Sequence, residues 1–510
     1  MRNLFIIIAI CKLFCNISFA QQFIRFNNQY NFGFANGSYM TSNVIKKNND
    51  YLLCGIGINA SQNQNYCLGI ICTDSVGIQK WQKYSNAPGN FQYNYNSTGS
   101  SAIQGLKDGS VLFTGCVSYA YAYSKSCLVK LNKTDGDTIW TKQYVQVGDT
   151  SNLYCTNQLS DSSFVSIGYK YWNDGVNTEF QRPFILKTDK NGSYQWHKYL
   201  WNSTANLSIQ FNKQINLNDK DFIVIGINSN RQGFALKFDT LGNIIFNKNY
   251  AINTYSLNYF SDILKLNSGN YLISGNVITY HTFNFSTIKL RPSLLEIEPI
   301  NGNQVKSKLF GSENYIDHSF GALYQDPGTL NIYANGSEFF PSANFKGTFY
   351  KFNSNLDSLY TRYHELTQTG SLIPINIIRS NEGGFVFPMD YTPNSGQQQF
   401  CLMKTDTMGC DSTNGCFYYI GINEQNKTAT EFKIYPNPSN DFLTISSGLL
   451  NTETIVEVKN LFGQKILEQK TMASDKLYQL DIANLQEGVY FLRIKDEGKT
   501  SPYIKFIVQH

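Results

Sequence analysis

The chain runs to 510 residues, with 42 Lys and Arg against 37 Asp and Glu and a net charge of +5. Only 15 % of it is charged while Phe and Tyr number 36 and 34, a balance that favours many short strands over helices and points to an all-β protein. The basic residues are dispersed, with no run that could follow a phosphate backbone, so nucleic acid is not expected as a partner.

Met1, Arg2 and Asn3 precede an apolar stretch over residues 4–10, and Ser18 and Ala20 supply small residues before Gln21. This is the three-part pattern of a secretory signal peptide over residues 1–20, cleaved after Ala20. The apolar stretch is too short to cross a bilayer, so no transmembrane span is expected in the mature chain. Of the 11 cysteines, Cys11 and Cys15 leave with the leader, and the odd number that remains keeps at least one thiol unpaired. Cys410 and Cys416 flank a tight Asp-Ser-Thr-Asn-Gly loop and are the best disulfide candidates in an exported protein. Cys54 with Cys67, and Cys116 with Cys127, would each tie neighbouring strands of one hairpin, although strand alternation turns the two pairs opposite ways.

From Asp50 onward one pattern recurs seven times, roughly 50–60 residues apart. Each copy opens on a polar turn and an apolar strand that usually ends in Gly, as in Asp50-Tyr-Leu-Leu-Cys-Gly55 and Ser162-Ser-Phe-Val-Ser-Ile-Gly168. A second strand carries Lys130, Lys187, Lys237, Lys351 or Lys404. Cys72 and Glu296 stand at that place in two copies, which makes the Lys framework rather than chemistry. Turns at Gly77, Gly136, Gly192, Gly242, Gly302 and Gly409 lead to a strand such as Trp81-Gln-Lys-Tyr84, Trp140-Thr-Lys-Gln-Tyr144 or Trp196-His-Lys-Tyr199. The last copy lacks it, and Phe23-Ile-Arg-Phe26 at the start of the mature chain fits the same pattern. One further apolar stretch before each copy, as at residues 101–106, brings the count to four strands. Such a repeat cannot bury its faces alone, and seven copies closed by the first mature strand describe a seven-bladed β-propeller over residues 21–417. An open array of sandwiches is the competing arrangement. The Trp and the Asp-x-x-Gly turn resemble quinoprotein-type propeller repeats, but adjacent cysteines and a calcium loop are missing and no cofactor is expected.

An up-and-down blade places its tight turns at one end and its long loops at the other. The long-loop end gathers Tyr93, Tyr95, Tyr119, Tyr121, Tyr123, Tyr171, Trp172, Tyr280, Phe283, Phe339 and Phe340, beside Asn and Ser. Rigid aromatic planes with small polar residues suit an adaptable binding surface for a protein or a glycan. The competing reading is that they pack loops against the rim. The five His residues show no metal-ligand spacing, and no nucleophile elbow, phosphate loop or dinucleotide fingerprint is present. A propeller glycosidase or lyase, drawing its acids from different blades, stays open as the alternative to a binding module, as does a structural surface protein.

After Cys416 the pattern changes. Residues 418–431 read as a polar linker, and residues 432–510 hold seven apolar strands, the number of a small immunoglobulin-like β-sandwich. Tyr435-Pro436-Asn437-Pro438, Asn460-Leu-Phe-Gly463-Gln464, Leu485-Gln-Glu-Gly488-Val-Tyr490 and Lys505-Phe-Ile-Val508 make this tail resemble the type A C-terminal sorting domain of the type IX secretion system of Bacteroidota. The resemblance implies partners in the sorting machinery and a route: translocation across the outer membrane, then removal of the tail, with release or attachment at the cell surface. It says nothing about the cargo's chemistry.

Overall fold

The computed structural model describes residues 24–33, 38–59, 65–87, 92–94, 102–119, 123–147, 150–173, 179–200, 209–281, 288–311, 318–340, 344–364, 370–394, 396–411, 432–447, 454–460, 464–471, 477–496, 499–501 and 503–509. It divides into two compact units, Met1–Ile420 and Gly421–His510. Among the described residues the only helix is the 3-10 turn Val145–Val147.

The first unit holds seven antiparallel sheets of four or five strands. Sheet 1 is Ser38–Lys47, Asp50–Asn59, Asn65–Thr73 and Gln79–Asn86. Sheet 2 is Val111–Tyr119, Tyr123–Leu131 and Thr138–Gln143, with Gln92–Asn94 and Ile103–Gly105 end to end along the outer edge of the first of these. Sheet 3 is Ser151–Gln158, Phe164–Asn173, Glu179–Thr188 and Tyr194–Tyr199, and sheet 4 is Ile209–Asn216, Asp221–Asn228, Gly233–Asp239 and Ile244–Asn249. Sheet 5 is Asn258–Lys265, Tyr271–His281, Ile288–Ile297 and Gln304–Leu309, and sheet 6 is His318–Gln325, Ile332–Phe340, Asn344–Phe352 and Ser358–His364. Sheet 7 sets Gly370–Pro374 and Ile378–Arg379 on Phe385–Pro393, continues with Gln399–Lys404 and ends with Phe26–Tyr30 from the other end of the chain. The closing strand begins at Phe26, three residues later than the Phe23 register the sequence suggests. Phe26 lies opposite Lys404 as Trp140 lies opposite Lys130, so the aromatic-to-Tyr spacing of 140–144 is repeated at 26–30.

The central strands are apolar on both faces because each face meets a different neighbour. In Asp221–Asn228, Phe222 and Val224 enter a core shared with sheet 3, while Ile223 and Ile225 enter one shared with sheet 5. Leu52 and Cys54 likewise face sheet 2 where Tyr51 and Leu53 face sheet 7. Seven such cores follow one another, and the last, with Tyr30, Val44, Tyr51, Val386 and Leu402, joins sheet 7 to sheet 1. This is a propeller-like all-β arrangement.

The second unit packs a three-stranded sheet, Phe432–Tyr435, Phe442–Ser447 and Leu477–Asp481, against a five-stranded one built on Ile455–Asn460 and Gly488–Asp496. Leu443, Ile445 and Leu480 from the first meet Val456, Leu492, Ile494 and Phe506 from the second in one core.

Candidate functional site

The two ends of the sheets differ. At the tight-turn end the hairpin after the third strand is closed, in five of the seven sheets, by a side-chain oxygen that accepts from backbone N–H groups two and four residues on, the chemistry expected of Asp and Asn turns. Asp189 accepts from Asn191 at 2.8 Å and Ser193 at 2.7 Å, and Asp74, Asp239, Asn353 and Asp406 repeat the geometry. Gly192 in this turn has φ +72°, a conformation that excludes most side chains. The Tyr that ends an outer strand fastens its sheet to the next turn: Tyr144 Oη donates to the Gly192 carbonyl at 2.9 Å, Tyr250 to Gly302 at 2.8 Å and Tyr30 to Gly77 at 2.7 Å. The third-strand Lys reaches the other turn, where Lys130 pairs with Asp108 at 2.7 Å and Lys404 with Glu382 at 3.0 Å. Where the sequence has Glu296 instead, Asn270 at the turn donates to it at 2.7 Å and Lys306 of the fourth strand pairs with it at 3.1 Å.

In sheets 1 and 3 to 6 the first strand shifts register opposite the recurring glycine. Phe211 faces Gly226 and Lys213 faces Ile225, so Asn212 is an extra residue, and Ser261 is the extra residue in sheet 5. The bulge pushes a carbonyl against the glycine. A Cβ would lie 2.1 Å from it at Gly55, Gly168 and Gly226 and 1.9 Å at Gly275, which no side chain tolerates. The bulges also turn polar side chains toward the neighbouring sheet. Asn43 Nδ2 donates to Ile103 O at 2.7 Å, Gln104 to Thr156 O at 2.8 Å and Gln214 to Val165 O at 3.2 Å. Leu323 N donates to Asp262 at 2.8 Å, Asn335 to Asn376 O at 2.9 Å, and Asn376 to Asn43 Oδ1 at 2.6 Å, which returns to sheet 1.

Between the first strands of sheets 4 to 7 lies a cavity of about 400 Å3. Its polar wall includes Gln210, Asn212, Ser261 and Asn276, and its apolar wall includes Phe260 and Phe320. These positions begin first strands or end second strands, so the cavity sits toward the long-loop end. The sequence reading passed over them. The signal available was a polar residue directly after a first-strand Phe, as at Phe211-Asn212 and Phe260-Ser261.

The aromatic residues expected at that end divide. Tyr93 is 1 % exposed and packs edge-on against Phe113 at 5.6 Å, so it belongs to the core between sheets 1 and 2 and not to a ligand face. Tyr171 is half-buried, packed on Tyr169 at 4.8 Å and bonded to Gln181 at 3.3 Å. Phe339 is half-buried against Phe345 at 5.2 Å. Tyr119 pairs with Tyr123 at the tip of one hairpin, and Trp172, Tyr280 and Phe340 end strands in the same way, at the long-loop end; the surroundings of these five side chains lie outside the described residues. Tyr95, Tyr121, Phe283 and Cys416 lie outside the described residues, as do 1–23 and the linker.

Two buried acidic sites stand apart from the cavity. Glu338 accepts from Tyr363 Oη at 2.8 Å and faces His318 Nδ1 at 3.9 Å, while Tyr350 lies 3.0 Å from His318 Nε2. Burial pushes His318 down to about 3 and raises Glu338, so both favour their neutral forms. Asp390 accepts from Thr41 N at 2.5 Å across the joint between sheets 7 and 1, and burial pushes its carboxyl up to about 7 against that hydrogen bond. Cys410 is disulfide-bonded, whereas Cys54, Cys67, Cys116 and Cys127 are free, buried thiols, so neither hairpin pair is bridged. Register explains this: Cys54 lies opposite Ile70 and Cys67 opposite Gly57. Among the described residues no cluster of His, Cys, Asp or Glu could hold a metal ion.

In the second unit the Tyr-Pro-Asn-Pro segment is clipped to the last strand. Asn437 Nδ2 donates to Lys505 O at 3.1 Å and Ile507 N donates to Asn437 Oδ1 at 2.9 Å. Tyr435 is exposed, and Pro436 and Pro438 flank the clip. Tyr490 Oη reaches Gln486 O at 2.9 Å, just before Gly488, and its ring stacks on Phe506 at 5.6 Å. Gly463 lies outside the described residues. Glu457 is buried among Lys495, Arg493 and Tyr503. Burial alone would raise its carboxyl, and hydrogen bonds from those three groups outweigh it and hold the carboxyl at about 2.

Residues 433–509 match the family of secretion system C-terminal sorting domains. The chain therefore carries a sorting tail of the type IX secretion machinery and is exported, to the cell surface or beyond it. Among the described residues no helix is long and apolar enough to cross a membrane. No curated protein matches the chain in sequence. Among solved structures it is similar to a protein of unknown function from Dyadobacter fermentans, at 10 % identity and TM-score 0.41, over 74 % of this chain and 97 % of that one. It is also similar to a quinohemoprotein alcohol dehydrogenase from Comamonas testosteroni, at 10 % identity and TM-score 0.41, over 82 % and 79 %. A third is Drosophila Plexin A in complex with Semaphorin 1b, at 8 % identity and TM-score 0.36, over 82 % and 86 %. At these identities and scores the likenesses say nothing about activity.

Proposed function

We propose that residues 21–417 form a seven-bladed β-propeller that works outside the cell as a binding module for a glycan or a protein. In this reading residues 1–20 are a cleaved signal peptide and residues 432–510 an immunoglobulin-like sandwich that serves as the address. The observation that carries the reading is the placement of the hairpin tips: Tyr119 with Tyr123, Trp172, Tyr280 and Phe340 all fall at the end opposite the tight turns. The turn end is occupied by contacts between sheets, which leaves the long-loop end to meet a partner. The carboxylate beside the cavity, Asp262, is engaged by Leu323 N and Ile263 N, which favours binding over hydrolysis there.

The mature chain, probed on a glycan array and in pull-downs from its own cell surface, is expected to retain a ligand that Tyr280→Ala and Phe340→Ala release. Turnover of a polysaccharide, or a ligand that both variants hold as well as the parent, overturns the reading.

A further inference from the structure

We infer that the cavity at the long-loop end is a site for one neutral sugar ring. The inference rests on the reading above only in that this end of the sheets faces the ligand. At about 400 Å3 the cavity falls within the range of small-ligand sites, roughly 300–1,000 Å3. Three polar side chains on its wall, Gln210, Ser261 and Asn276, have no hydrogen-bond partner within the described chain. Asn276 is only 6 % exposed and its amide is not sealed from solvent, so a guest entering the cavity takes the place of water at it. These groups come from sheets 4 and 5 and converge on one space, as polar contacts to a bound guest do.

The charge around the cavity selects the class of guest. Its wall contains no Lys, Arg or His among the described residues, so an anion finds no counter-charge. The carboxylate present, Asp262, is already engaged: Oδ1 accepts from Ile263 N at 2.9 Å and faces Lys213 Nζ at 3.5 Å, and Oδ2 accepts from Leu323 N at 2.8 Å. A cation therefore gains little there. What remains are neutral amides and hydroxyls opposite an apolar wall that includes Phe260 and Phe320. A ring with hydroxyls at its rim and C–H groups on its faces satisfies both, whereas a purely apolar guest would leave the amides unpaired.

The test is calorimetric titration of the mature chain with free glucose, galactose, mannose and N-acetylglucosamine, with galacturonate and glucosamine as charged arms. The expected result is saturable binding of at least one neutral sugar, weakened at least tenfold in Ser261→Phe, which fills the cavity, and in Asn276→Ala, which removes the amide. Unchanged melting of Asn276→Ala separates loss of the site from loss of the fold. The inference is overturned if no neutral sugar binds, if both variants bind it like the parent, or if the charged sugars bind equally well. A partner captured through Tyr280 and Phe340 while no free sugar enters would sink this site and leave the binding-module reading standing. A free sugar lost in Ser261→Phe, with no larger partner found, would sustain this site and sink the hairpin-tip face at Tyr280 and Phe340.

Discussion

Replacing Gly168 by Ala sets two physical effects against each other, and their signs differ. Gly168 does not have a positive φ. On backbone entropy alone an Ala there should stabilise the chain by about 0.4–1 kcal/mol. Geometry predicts the opposite. A Cβ on Gly168 would lie 2.1 Å from the Asn152 carbonyl oxygen and 3.0 Å from the Leu153 Cα. A carbon and a carbonyl oxygen ordinarily approach to about 3.3 Å, so the two strands must part by about 1.2 Å. No rotamer change can supply that, because the clashing atoms are backbone, held in the ladder that pairs Leu153 with Gly168 and Cys155 with Ile167. Overpacking of this kind costs about 1–3 kcal/mol and one weakened ladder bond adds about 1 kcal/mol, so against the entropic gain the expected net loss is about 1–3.5 kcal/mol. Equilibrium urea unfolding of the mature chain measures it, with Gly328→Ala as control. Gly328 is exposed and its nearest neighbour, Asp326 Oδ1, stands at 3.4 Å, so that change should stay within about 0.5 kcal/mol. A Gly168→Ala chain as stable as the parent, or more so, would refute the bulge argument for Gly55, Gly226 and Gly275 as well.

Tyr144→Phe removes the hydroxyl that donates to Gly192 O and should cost about 1–2 kcal/mol, with a similar loss for Tyr30→Phe at the closing strand, both read as a lower urea midpoint. Glu457 has its folded value depressed to about 2 from an ordinary 4.5, so its contribution is complete above about pH 4.5 and is lost as pH falls toward 2. Glu457→Gln should therefore destabilise the tail at pH 7, by about 1–2 kcal/mol once solvent screening of its partly exposed partners is allowed for, and far less at pH 2.5 in thermal melts. Asp390 is raised to about 7, so the folded state holds a proton that the unfolded state loses, and stability should fall between about pH 4 and 7. Asp390→Asn keeps an acceptor for Thr41 N and should flatten that fall; an unchanged pH slope would refute the assignment. A stop codon at Lys505 removes the strand that Asn437 clips and should leave the protein in the periplasm, which fractionation and surface labelling would reveal.

The repeat was legible because its constraints are local. Turn chemistry at Asp74, Asp189 and Asp239, and the aromatic that opens each outer strand, follow from single hairpins and so leave a period in the sequence. The register of the closing strand was misplaced by three residues because Phe23, Phe26 and Tyr30 are all aromatic, and only pairing with Lys404 selects Phe26. Tyr93 was assigned to the surface because composition cannot tell an aromatic that packs from one that presents itself. The cavity was missed for a deeper reason. Its walls come from four sheets, and Gln210, Ser261 and Asn276 share no motif; only the bulges and the order of the sheets bring them together. In the tail Tyr435-Pro-Asn-Pro438 and Lys505 stand apart in sequence, and Asn437 joins them in space: the first segment is bonded to the last strand.

The distribution of fastenings also explains how such a scaffold can change partner without losing its fold. The links between sheets fall in two places: the Tyr-to-turn bonds at Gly77, Gly192 and Gly302, and the polar bonds between first strands from Asn43 to Asn376. Both recur from sheet to sheet, and both lie away from the hairpin tips at Tyr119, Trp172, Tyr280 and Phe340. A substitution at a tip costs the local contacts of one loop, whereas one at a turn glycine or a bulge disturbs two sheets at once. Sequence change should therefore accumulate at the tips and leave the turns and bulges intact.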